Sequence, residues 1–105
     1  MHGNSDQNQK PHHLYEIWDK KAKETYKYGI SQDPIDDDGL SRRVRDQVRQ
    51  YNRVVGWIRF IGKILKTNIP GKRRAKELEE EHIEKFHKRK KRRPRGNPTR
   101  TVSKY

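Results

Sequence analysis

The sequence predicts a small α+β domain: a three-stranded antiparallel sheet flanked by helices. Three observations carry that prediction. Two short aromatic and β-branched runs, at 14–18 and 25–30, sit either side of a charged connector and read as a β-hairpin. A more continuous apolar run at 56–68 supplies a third strand. Apolar residues at helical spacing mark one helix before that run and one after it.

The chain has 105 residues, the size of one domain. Hydrophobic residues are 28% and charged residues 39%, so the core must be small and drawn mostly from residues 14–86. Lys plus Arg is 27 and Asp plus Glu is 14, a net charge of +13. That excess speaks to partners, with nucleic acid phosphate first and an anionic membrane surface or an acidic protein behind it. No apolar run approaches the ~18 residues that span a bilayer, and the polar N-terminus does not read as a signal peptide. Cysteine is absent, which excludes disulfides and thiolate metal sites.

Residues 1–11 are small, polar and without periodicity, and read as a flexible lead. His12 and His13 would point to opposite faces of a strand and make a poor chelate, so they read as solvated residues leading into it. The connector at 19–24 lacks Asn-Gly, which predicts a loop of several residues. The hairpin ends in Tyr28-Gly29, where a glycine admits close approach of a neighbour.

Pro34 and Gly39 make 31–40 a loop. Asp36, Asp37 and Asp38 lack the alternating ligands of an EF-hand and read as a solvated acidic loop that helps cap the next helix. Ser41 is the N-cap of that helix, with Val44, Val48, Tyr51 and Val55 on one stripe and arginines on the other faces. The run at 56–68 is read as a buried strand with a break near Gly62, a short helix being the alternative. Ile69-Pro70-Gly71 ends it in a turn. A second helix spans 72–88, with Ala75, Leu78, His82 and Phe86 on one stripe and Glu79 and Ile83 beside it. From His87 onward there are nine Lys or Arg and no acid, a solvated basic arm suited to a phosphate backbone and running into a tail at 99–105.

These parts come in a particular order: YEI at 15–17, KYGIS at 27–31, SRR at 41–43, a glutamate helix, and RGN at 95–97. The set resembles the GIY-YIG nuclease superfamily, and looks closest to the compact nuclease toxin domains at the C-termini of bacterial polymorphic toxins. The resemblance covers residues 14–98. It implies a catalytic set of Tyr15, Tyr28, Arg43, Glu79 and Asn97 in a GIY-YIG-like domain at 12–98. Arg42 and Arg45 are alternatives to Arg43, and Glu80 and Glu81 to Glu79. Lys27 stands where the family's second signature has a tyrosine, which leaves Tyr26 or Tyr28 to supply that hydroxyl and puts full activity in question.

The implied chemistry suits these residue types. Phosphodiester cleavage needs an activated water, a metal and a cation for developing charge. Glu79 would hold Mg²⁺ or Mn²⁺, since one carboxylate with waters and phosphate oxygens completes such a shell. Arg43 would grip the scissile phosphate with its planar fork. Tyr15 would be the general base; a tyrosine titrates near ~10, so it needs a nearby metal or cation. Tyr28 would orient, and Asn97 would fix a neighbouring side chain or the substrate. Lys27, Arg42, Arg45, Arg49, Arg89, Arg92, Arg93 and Arg95 would line the path of a nucleic acid, DNA before RNA. The resemblance also implies an acidic immunity protein as partner, delivery from a bacterium, and action in the cytoplasm of a target cell. A non-catalytic basic module of ribosomal-protein type explains the charge equally well. It does not require Tyr15, Arg43 and Glu79 to meet in one concave site, and that convergence separates the two readings.

Overall fold

The computed structural model describes residues 9–98. The elements follow in the order β1 (Pro11–Asp19), β2 (Glu24–Ser31), α1 (Arg42–Val55), β3 (Phe60–Pro70) and α2 (Lys72–Lys90). The sheet has the order β2-β1-β3, and both pairings are antiparallel. This is the α+β architecture expected, with the hairpin, the third strand and both helices in place.

Strand β1 lies in the middle, and its side chains alternate between two cores. Tyr15 and Ile17 face one side with Val44 and Phe60, where Val48, Tyr51 and Val55 of α1 pack. Leu14 faces the other with Ile69 and Ala75, against Leu78 of α2. Tyr28, Ile83 and Phe86 extend that second core along α2. Splitting a small apolar complement over two faces is what a sheet sandwiched between helices demands. Among the described residues no helix is long and apolar enough to cross a membrane.

Several expectations need correction. Strand β1 begins at Pro11, inside the stretch read as a lead, and His12 and His13 are buried in it rather than solvated. Burial pulls the His13 imidazole below its ordinary value. Residues 1–8 of that lead and the tail at 99–105 lie outside the described residues. The hairpin turn spans residues 20–23, and Asp19 and Glu24 close the strand pair as buried partners. Strand β3 runs through Gly62 without a break. The glycine is needed there because a Cβ would sit 2.6 Å from Val44 Cγ1, so α1 could not settle on the sheet. The strand starts only at Phe60; Gly56, at φ 81°, ends α1, and Trp57 and Ile58 stay exposed.

The basic segment after α2 is the largest difference. Residues 91–98 do not stand out in solvent but fold back as a strap along the free edge of β2. The Gly96 N–H donates to Tyr26 O at 2.7 Å. The Asn97 side chain accepts from Tyr28 N at 2.8 Å and donates to Tyr28 O at 3.0 Å, copying the pattern of a strand partner. Pro94 is fully buried. Arg92 grips both Glu24 oxygens at 2.8 and 2.7 Å, and Arg95 pairs with Asp19. Asp19 also takes both arms of Arg59 at 2.8 Å, and these bonds hold its carboxyl well below the usual carboxylate range. Arginine was abundant enough for the buried ends of the hairpin to recruit the basic segment.

Candidate active site

A cleft of about 330 Å³ opens between the start of α1, the middle of α2, the hairpin and the strap. Tyr15 of β1, Lys27, Tyr28 and Gly29 of β2, Arg43 of α1, Glu79 of α2 and Asn97 of the strap all line it. Every residue expected in the catalytic set therefore borders one concavity, although β1 and α2 lie some 60 positions apart in the chain. Among its neighbours Arg43 is the arginine at the cleft, and Glu79 is the lining member of the run 79–81. Glu80 lies 3.8 Å from Arg93, and Glu81 3.8 Å from Arg74.

The local structure explains why. Tyr15 pairs with Gly29 across the hairpin. A Cβ on residue 29 would sit 2.3 Å from both Cζ and Oη of Tyr15, so only glycine lets the ring lie flat over β2. Ile17 pairs with Lys27 and Trp18 with Thr25, which leaves Tyr26 as the extra residue of a β-bulge. The bulge lets two successive side chains serve the α1 side. Tyr26 packs edge-on against Tyr51 and Phe60 in the core, and Lys27 turns to the cleft. Tyr28 is buried, its ring 5.4 Å from His82 and packed with Ile83 and Phe86. Strand β2 thus offers Lys27 to the cleft as well as Tyr28. Asn97 spends its amide on the Tyr28 backbone and so positions the Tyr28-Gly29 pair beneath Tyr15.

The electrostatics of the cleft are unusual. Burial pushes the Glu79 carboxyl up to about 7, and the neighbouring Glu80 adds to the rise; Lys27, Lys76 and Arg93 oppose it. Burial, then Arg43, lower the Lys27 ammonium, and Glu79 raises it. A carboxylate and an ammonium, both short of water, share one cavity with an exposed guanidinium. Perturbation of that kind is characteristic of functional clefts.

One residue of this neighbourhood was not singled out from the sequence. Gln47 sits one helical turn after Arg43, hence on the same face of α1. Its Nε2 donates to Tyr15 Oη at 2.9 Å, and its Oε1 accepts from Lys27 Nζ at 3.0 Å. The i, i+4 spacing from Arg43 was the available signal.

The resemblance implies a divalent metal, and the donor set can be tested against one. Among the described residues no group of three or more His, Cys, Asp or Glu is placed to hold a metal. An all-protein cage is therefore absent from them. A single half-buried carboxylate facing an open cleft fits a hard, water-rich Mg²⁺ or Mn²⁺ shell, completed by phosphate oxygens. The residues fit that form of site, in which Glu79 would be the protein ligand.

Of the expected nucleic-acid contacts, Lys27 lines the cleft, and Arg42, Arg49 and Arg89 are exposed, with Arg42 3.8 Å from Asp46 and Arg89 over the Phe86 ring. Arg45 is held by Asp36 and Asp38, Arg92 by Glu24, and Arg95 by Asp19. Arg93 donates to Asn97 O at 2.8 Å and braces the strap. Asp36, Asp37 and Asp38 are exposed as expected, whereas Ser31, read as the start of that loop, is the buried last residue of β2; Asp33 accepts from the first turn of α1 at Arg43 N.

Comparison with curated proteins and with solved structures returns no match. A family model described as URI fold toxin 2 matches residues 5–91, most of the chain and all five elements. The chain belongs to this toxin domain family, URI fold toxin 2.

Proposed function

We propose that the domain is a metal-dependent endonuclease, a GIY-YIG-like phosphodiesterase that degrades DNA as the effector part of an antibacterial toxin. The observation that carries this reading is the convergence of Tyr15, Lys27, Arg43 and Glu79 on one cleft of a protein with net charge +13. A binding module needs the charge but gains nothing from burying a carboxylate beside it, because Glu79 repels the phosphate that the cations attract.

Each residue then has a task. Arg43, exposed at the start of α1, grips the scissile phosphate through its fork. Glu79 holds Mg²⁺ or Mn²⁺, which when bound neutralises charge on the phosphate. The Tyr15 oxygen takes the proton of the attacking water. Lys27 adds positive potential where the pentacovalent phosphate gathers negative charge. Asn97, through the Tyr28 backbone, keeps Gly29 under the Tyr15 ring. As a toxin effector, the domain would be delivered from a bacterium into the cytoplasm of a target cell and held inactive in its producer by an acidic immunity protein.

The test is incubation of supercoiled plasmid and of a structured RNA with purified protein, with Mg²⁺ or with EDTA. The proposal expects Mg²⁺-dependent nicking and linearisation of the plasmid. Cutting of RNA alone would move the substrate class. Salt-sensitive binding without cutting of either would leave a nucleic-acid-binding module.

A further inference from the structure

Tyr15 and Lys27 both line the cleft, and they are joined by a residue that is not part of its lining. Gln47 bridges them, with bonds of 2.9 Å to Tyr15 Oη and 3.0 Å to Lys27 Nζ. The chemistry of the two ends fixes the direction of the bridge. An ammonium can only donate, so the amide oxygen must face Lys27 and the NH₂ must face Tyr15. The Tyr15 oxygen is thereby an acceptor on its inner side, and its own proton is directed to the cleft.

We propose that Gln47 is a positioning residue that carries the charge of Lys27 to the Tyr15 oxygen and favours negative charge on it. This rests on the phosphodiester-cleavage reading. Donor and acceptor run head to tail from the ammonium through the amide to the phenol oxygen, so each bond polarises the next. The bridge also accounts for a lysine in place of the tyrosine that the resemblance leads one to expect. A second hydroxyl on β2 would supply a dipole, whereas Lys27 supplies a full charge.

In the step served, the water oxygen forms a bond to phosphorus and the bond from phosphorus to the leaving oxygen breaks. Tyr15 enters the step as phenolate, its own proton already released through the cleft to solvent; the water proton then passes to the Tyr15 oxygen, and the leaving oxygen takes a proton from solvent. Gln47 exchanges no proton; it holds the acceptor. Five charged or titratable groups face it or the cleft from the packed elements: Tyr15 on β1, Lys27 and Tyr28 on β2, Arg43 on α1 and Glu79 on α2. Any pH dependence is read against all five.

Three variants separate a relay from mere packing. Gln47→Leu keeps the volume but removes both bonds. Its kcat should fall on the order of 10²-fold, the size of a general acid–base contribution, with KM for DNA little changed. Gln47→Glu would pair the new carboxylate with Lys27 and accept from Tyr15 instead of donating. Its kcat should fall at least as far as that of Gln47→Leu, because a carboxylate that accepts from Tyr15 opposes negative charge on the phenol oxygen. Gln47→His, whose neutral ring can accept from Lys27 and donate to Tyr15, should retain most of the activity above the imidazole's own titration near ~6.5. Thermal melting checks that each variant folds. Folded Leu and Glu variants with the wild-type kcat and pH profile would overturn the proposal.

If the wild type cuts no substrate at any pH, the cleavage reading fails and the bridge is judged by NMR. One Gln47 side-chain amide proton should lie downfield and return in Tyr15→Phe. An amide signal indifferent to Tyr15→Phe and to Lys27→Met would show that the bridge itself does not form.

Discussion

Glu79 concentrates the cost and the use of this site in one side chain. Its carboxyl rises from 4.5 to about 7, so the folded state holds that proton more tightly than the unfolded chain. The stabilisation is complete below 4.5 and is lost as pH rises through about 7, a span corresponding to roughly 3 kcal/mol. Glu79→Gln should therefore raise the melting temperature of the free protein at pH 8 and change it little at pH 4. On the proposed cleavage reading the same titration should govern activity. A metal competes with the proton for the carboxylate, so activity should rise through the range near pH 7, and more Mg²⁺ should move that limb to lower pH. A limb that ignores Mg²⁺ concentration would separate Glu79 from the metal. Gly29 offers a second check. Gly29→Ala puts a methyl 2.3 Å from the Tyr15 ring. Displacing the ring should cost about 1–3 kcal/mol in denaturant unfolding and on the order of 10²-fold or more in cutting. At this scale the sequence was informative where a residue's role depends on its type: Tyr15, Arg43 and Glu79 all reach the cleft. It was uninformative where the role depends on a neighbour's polarity. The i, i+4 spacing puts Gln47 on the Arg43 face of α1, but it does not announce that the amide will lie between a lysine and a phenol contributed by two different strands.

Among the elements, the hairpin and the strap depend on each other. The buried ends of the hairpin, Asp19 and Glu24, need cations, and the strap's Arg92 and Arg95 provide them together with Arg59. In return the strap covers the free edge of β2, a strand that would otherwise present unpaired backbone groups. Removing one partner of such a buried pair is costly, and partial exposure of the arginines reduces the cost. Asp19→Ala should lose about 2–4 kcal/mol in chemical unfolding. Because the Asp19 carboxyl lies below the usual range, its contribution is present above the ordinary Asp value and disappears as pH falls through the folded one. The acid limb of the wild-type stability profile should be correspondingly steeper than that of Asp19→Ala. Helix periodicity and β-branched runs made both helices and all three strands legible. The strap was not legible, because a run of Lys and Arg reads as solvated until buried carboxylates are known to await it. Gly62 misled for a related reason: a glycine that admits a helix looks, in sequence, like one that ends a strand.

At the scale of the whole molecule, +13 is an average over cations with different duties. Arg49 is exposed, whereas Arg45 is taken by Asp36 and Asp38. On a non-cleavable duplex, Arg49→Ala should reduce the slope of log affinity against log salt by about 0.9, one phosphate's worth. Arg45→Ala should leave that slope nearly unchanged and should loosen the loop at 31–40 instead. Equal losses of slope would mean that the ion pairs open on binding. Net charge alone pointed to nucleic acid, but only the folded arrangement separates free cations from committed ones. The measurement that bears most directly on the central claim is the rate of plasmid cutting by wild type and by Glu79→Gln in Mg²⁺, with both proteins shown to be folded. The account predicts that the wild type cuts and that the variant, equally or more stable, binds DNA without cutting it. A folded Glu79→Gln protein that cuts at the wild-type rate would contradict it.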